Sequence, residues 1–292
     1  MKMKDNLGLG PNGDILYLKL KGSQDLLTEV SNHRKVLITY LTQLCEKKDL
    51  TFSDLELEFI NYGYTQLVYV LTIKGEERYT LLVKQPMVEQ GKLFQEFQNL
   101  VELSKFDKNV IAPYEYRAYN NETCKGELFI TPYLYQARCV ASDKDWGMYI
   151  PEPEYRFEEF SSEQRFFVNM CMIAKLVYLY DEDSHKGIAA AKLGGGDFIL
   201  PKGWEEVEPC EKYTLDNLYL TAAREMIECS LDEYLDILRE EFSRRTIEEN
   251  QSSLKVNHRG RVSMSMEEIE EGIELGMKLR KTKEAIYPKT RR

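Results

Sequence analysis

Residues 55–84 read LELEFINYGYTQLVYVLTIKGEERYTLLVK, three strand patterns in quick succession. LELEFI alternates apolar and polar residues strictly, and QLVYVLTI is dense in β-branched and aromatic side chains. A side-chain period of two belongs to a half-buried strand and to no helix. The breaks NYGYT and KGEE are too short to carry a parallel crossover, so the three strands are expected to form an antiparallel meander.

What surrounds the meander is different. Residues 25–47 space Leu26, Val30, Val36, Leu37, Leu41 and Leu44 as a helix would. Before it, Asn12-Gly13 between apolar runs predicts a tight hairpin. After the meander, 91–103 reads as a helix with Phe94, Phe97, Leu100, Val101 and Leu103 on its buried side. VIAPYEYRAY and ELFITPYLY then read as two more strands, and 141–160 as an irregular connection. Ser161-Ser162-Glu163-Gln164 is a capping box, Ser at the N-cap and Gln three residues on. It opens a helix to about Tyr180 with Phe166, Phe167, Met170, Ile173, Ala174, Val177 and Tyr178 on its apolar face. Helices are expected at 214–228, at 230–250 behind Ser230-Leu231-Asp232-Glu233, and at 265–285 behind Ser265-Met266-Glu267-Glu268.

Strands followed by helices give an α+β chain. The expected division is an N-terminal hairpin and helix over 1–50, a β-rich lobe over 51–135 with a hinge near 132–135, and a helical lobe over 136–292. A cleft between two lobes is the default place for a nucleotide or other small molecule.

Composition narrows the partners. A formal net charge of −10 argues against non-specific nucleic-acid binding. No apolar run is long enough to span a membrane. The six cysteines include no CxxC pair and fit no zinc spacing, so they read as reduced thiols of a cytoplasmic protein. His33, His185 and His258 are too scattered for a metal site.

Taken in order, these segments resemble the protein-kinase-like superfamily, its aminoglycoside-phosphotransferase branch included. INYGYTQLVYVL is similar to a glycine-rich loop between two strands, with Gly63 the one glycine kept. LLVK is similar to the strand that carries the phosphate-binding lysine, here Lys84, and FQEFQNL to the helix that carries its glutamate partner, here Glu96. ELFITPYLY is similar to the strand and hinge beside the adenine. The resemblance covers about 55–200 and implies a two-lobed fold, with Gly63, Lys84 and Glu96 binding ATP and with Mg²⁺ as its companion.

HKGIAAAKLGGGDFIL, residues 185–200, resembles the catalytic loop of that superfamily with its chemistry removed. Ala190 and Ala191 stand where His and Arg belong, and Lys192 stands where the catalytic Asp belongs. That Asp accepts a proton from the attacking hydroxyl, which a protonated lysine cannot do. Asp197 stands where the metal-binding Asn belongs, and a carboxylate suits Mg²⁺ as well. Residues 207–211, where a second metal-binding motif is implied, read VEPCE. The resemblance therefore implies a pseudokinase-like protein, nucleotide-binding or scaffolding, with little or no phosphotransfer.

Two alternatives stay open. In a second register DSHKGIA resembles a phosphotransferase loop; Asp183 becomes the base, and the chain is an active atypical small-molecule kinase. Or the chain keeps only the architecture and is an interaction module for a protein partner.

Overall fold

The computed structural model describes residues 2–3, 24–62, 66–74, 77–84, 91–122, 124–133, 138–139, 161–193, 197–200, 218–251 and 264–286. The fold is mixed, with five α-helices among the described residues and small, mainly antiparallel sheets, in keeping with α+β. It divides into two compact units, Met1–Gln98 with Ala112–Tyr133, and Asn99–Ile111 with Leu134–Arg292. Residues 24–48 fall in the first unit and Asn99–Ile111 in the second.

In the first unit the meander forms as its alternation demands. Strands β2 (Leu55–Tyr62), β3 (Gln66–Ile73) and β4 (Glu77–Lys84) are antiparallel, with Leu57 opposite Leu71 and Leu71 opposite Tyr79. A register shift between Phe59 and Asn61 marks a bulge in β2. Strands β5 (Glu115–Asn120) and β6 (Lys125–Pro132) extend the sheet, and β1 (Lys2–Met3) adds a short parallel edge, giving the order β1-β2-β3-β4-β6-β5. Strand β5 is shorter than VIAPYEYRAY suggested, because Pro113 has no N–H to donate and the chain is irregular up to Tyr114.

Helix α1 (Gln24–Lys48) covers one face of this sheet. Its Val36, Leu37, Tyr40, Leu41 and Leu44 share a core with Leu55, Leu57, Leu71, Ile73, Leu128 and Ile130. Every sheet member of that set sits at an every-second position of its strand, so one face of the pleat supplies the core.

Helix α2 (Lys92–Ser104) follows β4 and buries Leu93, Glu96, Asn99, Leu100 and Leu103. Of the expected face, Leu100 and Leu103 are buried, and Val101 is half-buried. Phe94 is exposed and Phe97 only half-buried; both rings pack on Tyr116 of β5, at 4.9 and 5.8 Å between centroids. Aromatic contact along the helix flank took the two phenylalanines, and the buried stripe passed to Leu93 and Glu96.

The second unit is built on α3 (Ser162–Tyr178), opened by the capping box: Ser161 Oγ accepts from the Gln164 amide and Gln164 accepts from the Ser161 amide. The helix is enclosed all round over 171–177, including Lys175, rather than along one stripe. Helices α4 (Leu231–Gln251) and α5 (Met266–Ile286) start at the other two capping boxes, Ser230 with Glu233 and Ser265 with Glu268.

Over its described residues, 218–228, the helix expected at 214–228 does not form. Among its described residues are two short strands, β10 (Tyr219–Leu220) and β11 (Met226–Glu228). The backbone groups find distant partners instead of an i−4 carbonyl: Leu220 donates to Asn109, Thr221 to Asp197, and Ala189 donates to Glu225. Tertiary pairing has overridden local propensity here. The hairpin at Asn12-Gly13 and the connection at 141–160 lie outside the described residues.

Candidate functional site

Of the three residues implied to hold a nucleotide, Gly63 lies outside the described residues. Lys84 closes β4, its backbone in register with Gln66, and its side chain is likewise outside. Glu96 is described and is only 4% exposed. A glutamate on a helix face ordinarily projects into water; a buried one has its charge compensated.

Nearby is a carboxylate that sequence reading passed over. Glu127 on β6 is 8% exposed and accepts the Gly91 amide at 2.5 Å, one residue before α2 begins. A carboxylate there meets the positive end of the helix dipole. The Tyr116 hydroxyl is pushed up to about 12, first by burial and then by the Glu127 charge. The signal was present: Glu127 falls on the opposite side of the β6 pleat from Leu128 and Ile130.

The loop at 185–200 is described except for its three glycines. It is approached from α3 through a closed turn. Asp181 and Lys186 exchange backbone hydrogen bonds, and the Asp181 carboxylate accepts the Asp183 amide at 3.0 Å and the Ser184 hydroxyl at 2.6 Å. His185 sits at φ +54° to complete the reversal. Strand β8 (Lys186–Ile188) follows and pairs with β11. Gly187 has to be glycine: a Cβ there would stand 2.4 Å from the ring of Tyr234. Tyr234 is fully buried, stacks on Tyr180 and donates to the Ile188 carbonyl. Burial drives its hydroxyl pKa far up, so it stays a donor.

Beyond β8 come one 3₁₀ turn, Ala190–Lys192, and then β9 (Phe198–Leu200), paired with β10 on one side and β7 (Arg138–Cys139) on the other. The loop is therefore a strand–turn–strand excursion. Ala190 is buried, while Lys192, at the position of the missing base, is exposed. Asp183 is exposed on the preceding turn, with β8 and the 3₁₀ turn between it and Asp197.

Asp197 is buried, and both its carboxylate oxygens accept from one guanidinium. Arg224 donates to Oδ2 at 2.8 Å and to Oδ1 at 2.6 Å, and also to the Lys192 carbonyl at 2.7 Å. This fork is the strong geometry for an arginine and a carboxylate. It joins the two sides of the loop across residues 194–196. Among the described residues no group of three or more His, Cys, Asp or Glu is arranged to hold a metal. Among the described residues, the cation bonded to the Asp197 carboxylate is the Arg224 guanidinium. Arg224 was not singled out from sequence, because it lies 27 residues from Asp197 and inside the stretch read as a helix.

A second buried charge pair anchors this unit. Lys175 Nζ, fully buried on α3, lies 2.5 Å from Asp107, whose other oxygen accepts the Asn109 amide. The same segment is tied to β10 through Leu220 to Asn109 and Ile111 to Leu220, and Asn99 Nδ2 donates to the Ala223 carbonyl.

No protein-family model matches the chain, and a search of curated proteins finds no match. No helix among the described residues is long and apolar enough to cross a membrane.

Proposed function

We propose that the chain is a pseudokinase-like, two-lobed protein that binds a nucleotide and transfers little or no phosphate. The loop between β8 and β9 carries this reading. Its ionisable side chains among the described residues are Lys192, which stands where the resemblance puts the base, and Asp197, which is bonded to Arg224. Neither is placed to take a proton from an attacking hydroxyl. The nucleotide part of the proposal is supported by Glu96, a carboxylate buried on the helix that follows the Lys84 strand, as the resemblance implies. A reducing, cytoplasmic setting belongs to the same proposal; Cys45, Cys124, Cys171 and Cys229 are not in disulfides, and the first three are buried.

Thermal unfolding with ATP tests it. A ligand at about 100 times its Kd stabilises by about 2.7 kcal/mol, so millimolar ATP is expected to raise Tm measurably. ATP turnover is expected to stay at background in wild type and in Asp183→Asn alike. An unchanged Tm would remove the nucleotide and leave an interaction module. Turnover lost in Asp183→Asn would make Asp183 the base of an active kinase.

A further inference from the structure

The position that the resemblance assigns to a metal ligand is held by a side-chain cation of the chain itself. Asp197 is 7% exposed, and its two oxygens are engaged in parallel by Nη1 and Nη2 of Arg224. The same Nη1 reaches the Lys192 carbonyl. A divalent ion on Asp197 would have to displace that fork or sit against it as a like charge, and either is unfavourable in a half-buried place. A guanidinium is permanently charged and planar, and it supplies two aligned donors. The backbone supports the same closure: the Asp197 carbonyl accepts both the amide and the hydroxyl of Thr221, at 2.9 and 3.1 Å. Leu193 and Lys192 donate back to Ala190 and Ala189 within the 3₁₀ turn.

We infer that Arg224 takes the place of a divalent cation at Asp197 and closes the 189–200 loop as an internal ionic clasp, so that Asp197 does not serve as a metal ligand. The inference rests on the functional reading only in naming Asp197 as the position for the ion. Its tests use no nucleotide, so its failure and that of the functional reading are separable.

The first test uses wild-type protein and Mn²⁺ as a paramagnetic probe read by amide NMR. Weak, diffuse broadening over the acidic surface is expected, with none concentrated at Thr221 or Phe198. Selective, saturable broadening at those two amides that Asp197→Asn abolishes would overturn the inference. The second is a double-mutant cycle read by Tm. Arg224→Gln and Asp197→Asn are each expected to lower Tm, and the double variant to fall no further than the worse single one. Additive losses would show that the two side chains are not a clasp. If Arg224→Gln does not fold, Arg224→Lys serves in its place. It keeps the charge and loses the fork, and it is expected to couple to Asp197 less strongly than arginine but above zero. Zero coupling there overturns the inference as well.

Discussion

Arg280 and Arg224 each close a structure in the second unit, but on different partners. Arg280 is buried at the end of α3, where it donates to the Val177 and Tyr180 carbonyls and to Glu182, its guanidinium over the Tyr180 ring. The Val177 carbonyl is one of the last-turn carbonyls that a helix leaves without an i+4 partner, and Tyr180 lies just beyond the helix end. Arg224, a third exposed, instead engages a carboxylate and one loop carbonyl. The first contact completes a regular element whose remaining bonds are made already. The second ties the end of the 3₁₀ turn to the residue that precedes β9. The α3–α5 pair is thus expected to resist change through packing, and the 189–200 loop through polar contacts, the Arg224 fork among them.

The packing of α3 on α5 has a four-residue rhythm. Glu268 accepts from Asn169, Gly272 lies against Met170 and Ile173, Gly276 against Ala174 and Val177, and Arg280 caps the end. Partner numbers rise together, so the two helices run parallel. The glycines let the backbones approach: a Cβ on Gly272 would be 2.7 Å from the Met170 carbonyl oxygen, and one on Gly276 would be 2.6 Å from Val177 Cβ.

The largest break in this comparison is expected from the buried pair on α3. Asp107→Ala leaves Lys175 charged and enclosed, and urea denaturation is expected to show a loss of about 3–5 kcal/mol. Combining it with Lys175→Met is expected to recover most of that; a double variant as unstable as the single one would mean that packing, not charge, set the cost. Next is Gly276→Ala. Alanine ordinarily favours a helix by about 1 kcal/mol over glycine, yet here overpacking is expected to cost about 1–3 kcal/mol, read as a lowered Tm. A neutral or stabilised variant would show that the helices can part without penalty.

The smallest effect expected, read between pH 9 and pH 10, is a pH dependence. Burial raises the Cys171 thiol from 9.0 to about 12, with Lys175 opposing it. Above pH 9 the unfolded chain loses this proton while the folded one keeps it, so stability falls as pH rises. By pH 10 the slope is about 1.4 kcal/mol per unit for one such group. Cys171→Ala is expected to flatten that part of the stability profile; an unchanged slope would place the ionisation on Tyr119 or Tyr116, each pushed up to about 12.

What could be read ahead follows from range. The meander was legible because alternation is a property of neighbours, and the capping boxes because Ser161, Ser230 and Ser265 act three residues away. Residues 218–228 were misread because Leu218, Ala222, Ala223 and Met226 suit a helix by composition, while the backbone groups of Leu220, Thr221 and Glu225 pair with Asn109, Asp197 and Ala189. Glu96 stood out only through the resemblance; its burial depends on Phe94 and Phe97 turning toward Tyr116. The Asp197–Arg224 and Lys175–Asp107 pairs have no local pattern. Gly272 and Gly276 did carry one, small residues four apart on a helix, which is legible once close helix packing is in mind.

The parallel course of α3 and α5 bears on how the chain is made. Their matched residues are 99 to 103 positions apart, so the chain must run out and return before the second helix can lie on the first. At about 5–20 residues per second of synthesis, α3 waits on the order of 5–20 s for its partner. Throughout that interval Met170, Ile173, Ala174 and Val177 lack the surface that covers them in the finished protein. A nascent chain halted before Gly272 is therefore expected to be a client for chaperones, and the second unit to form late rather than helix by helix.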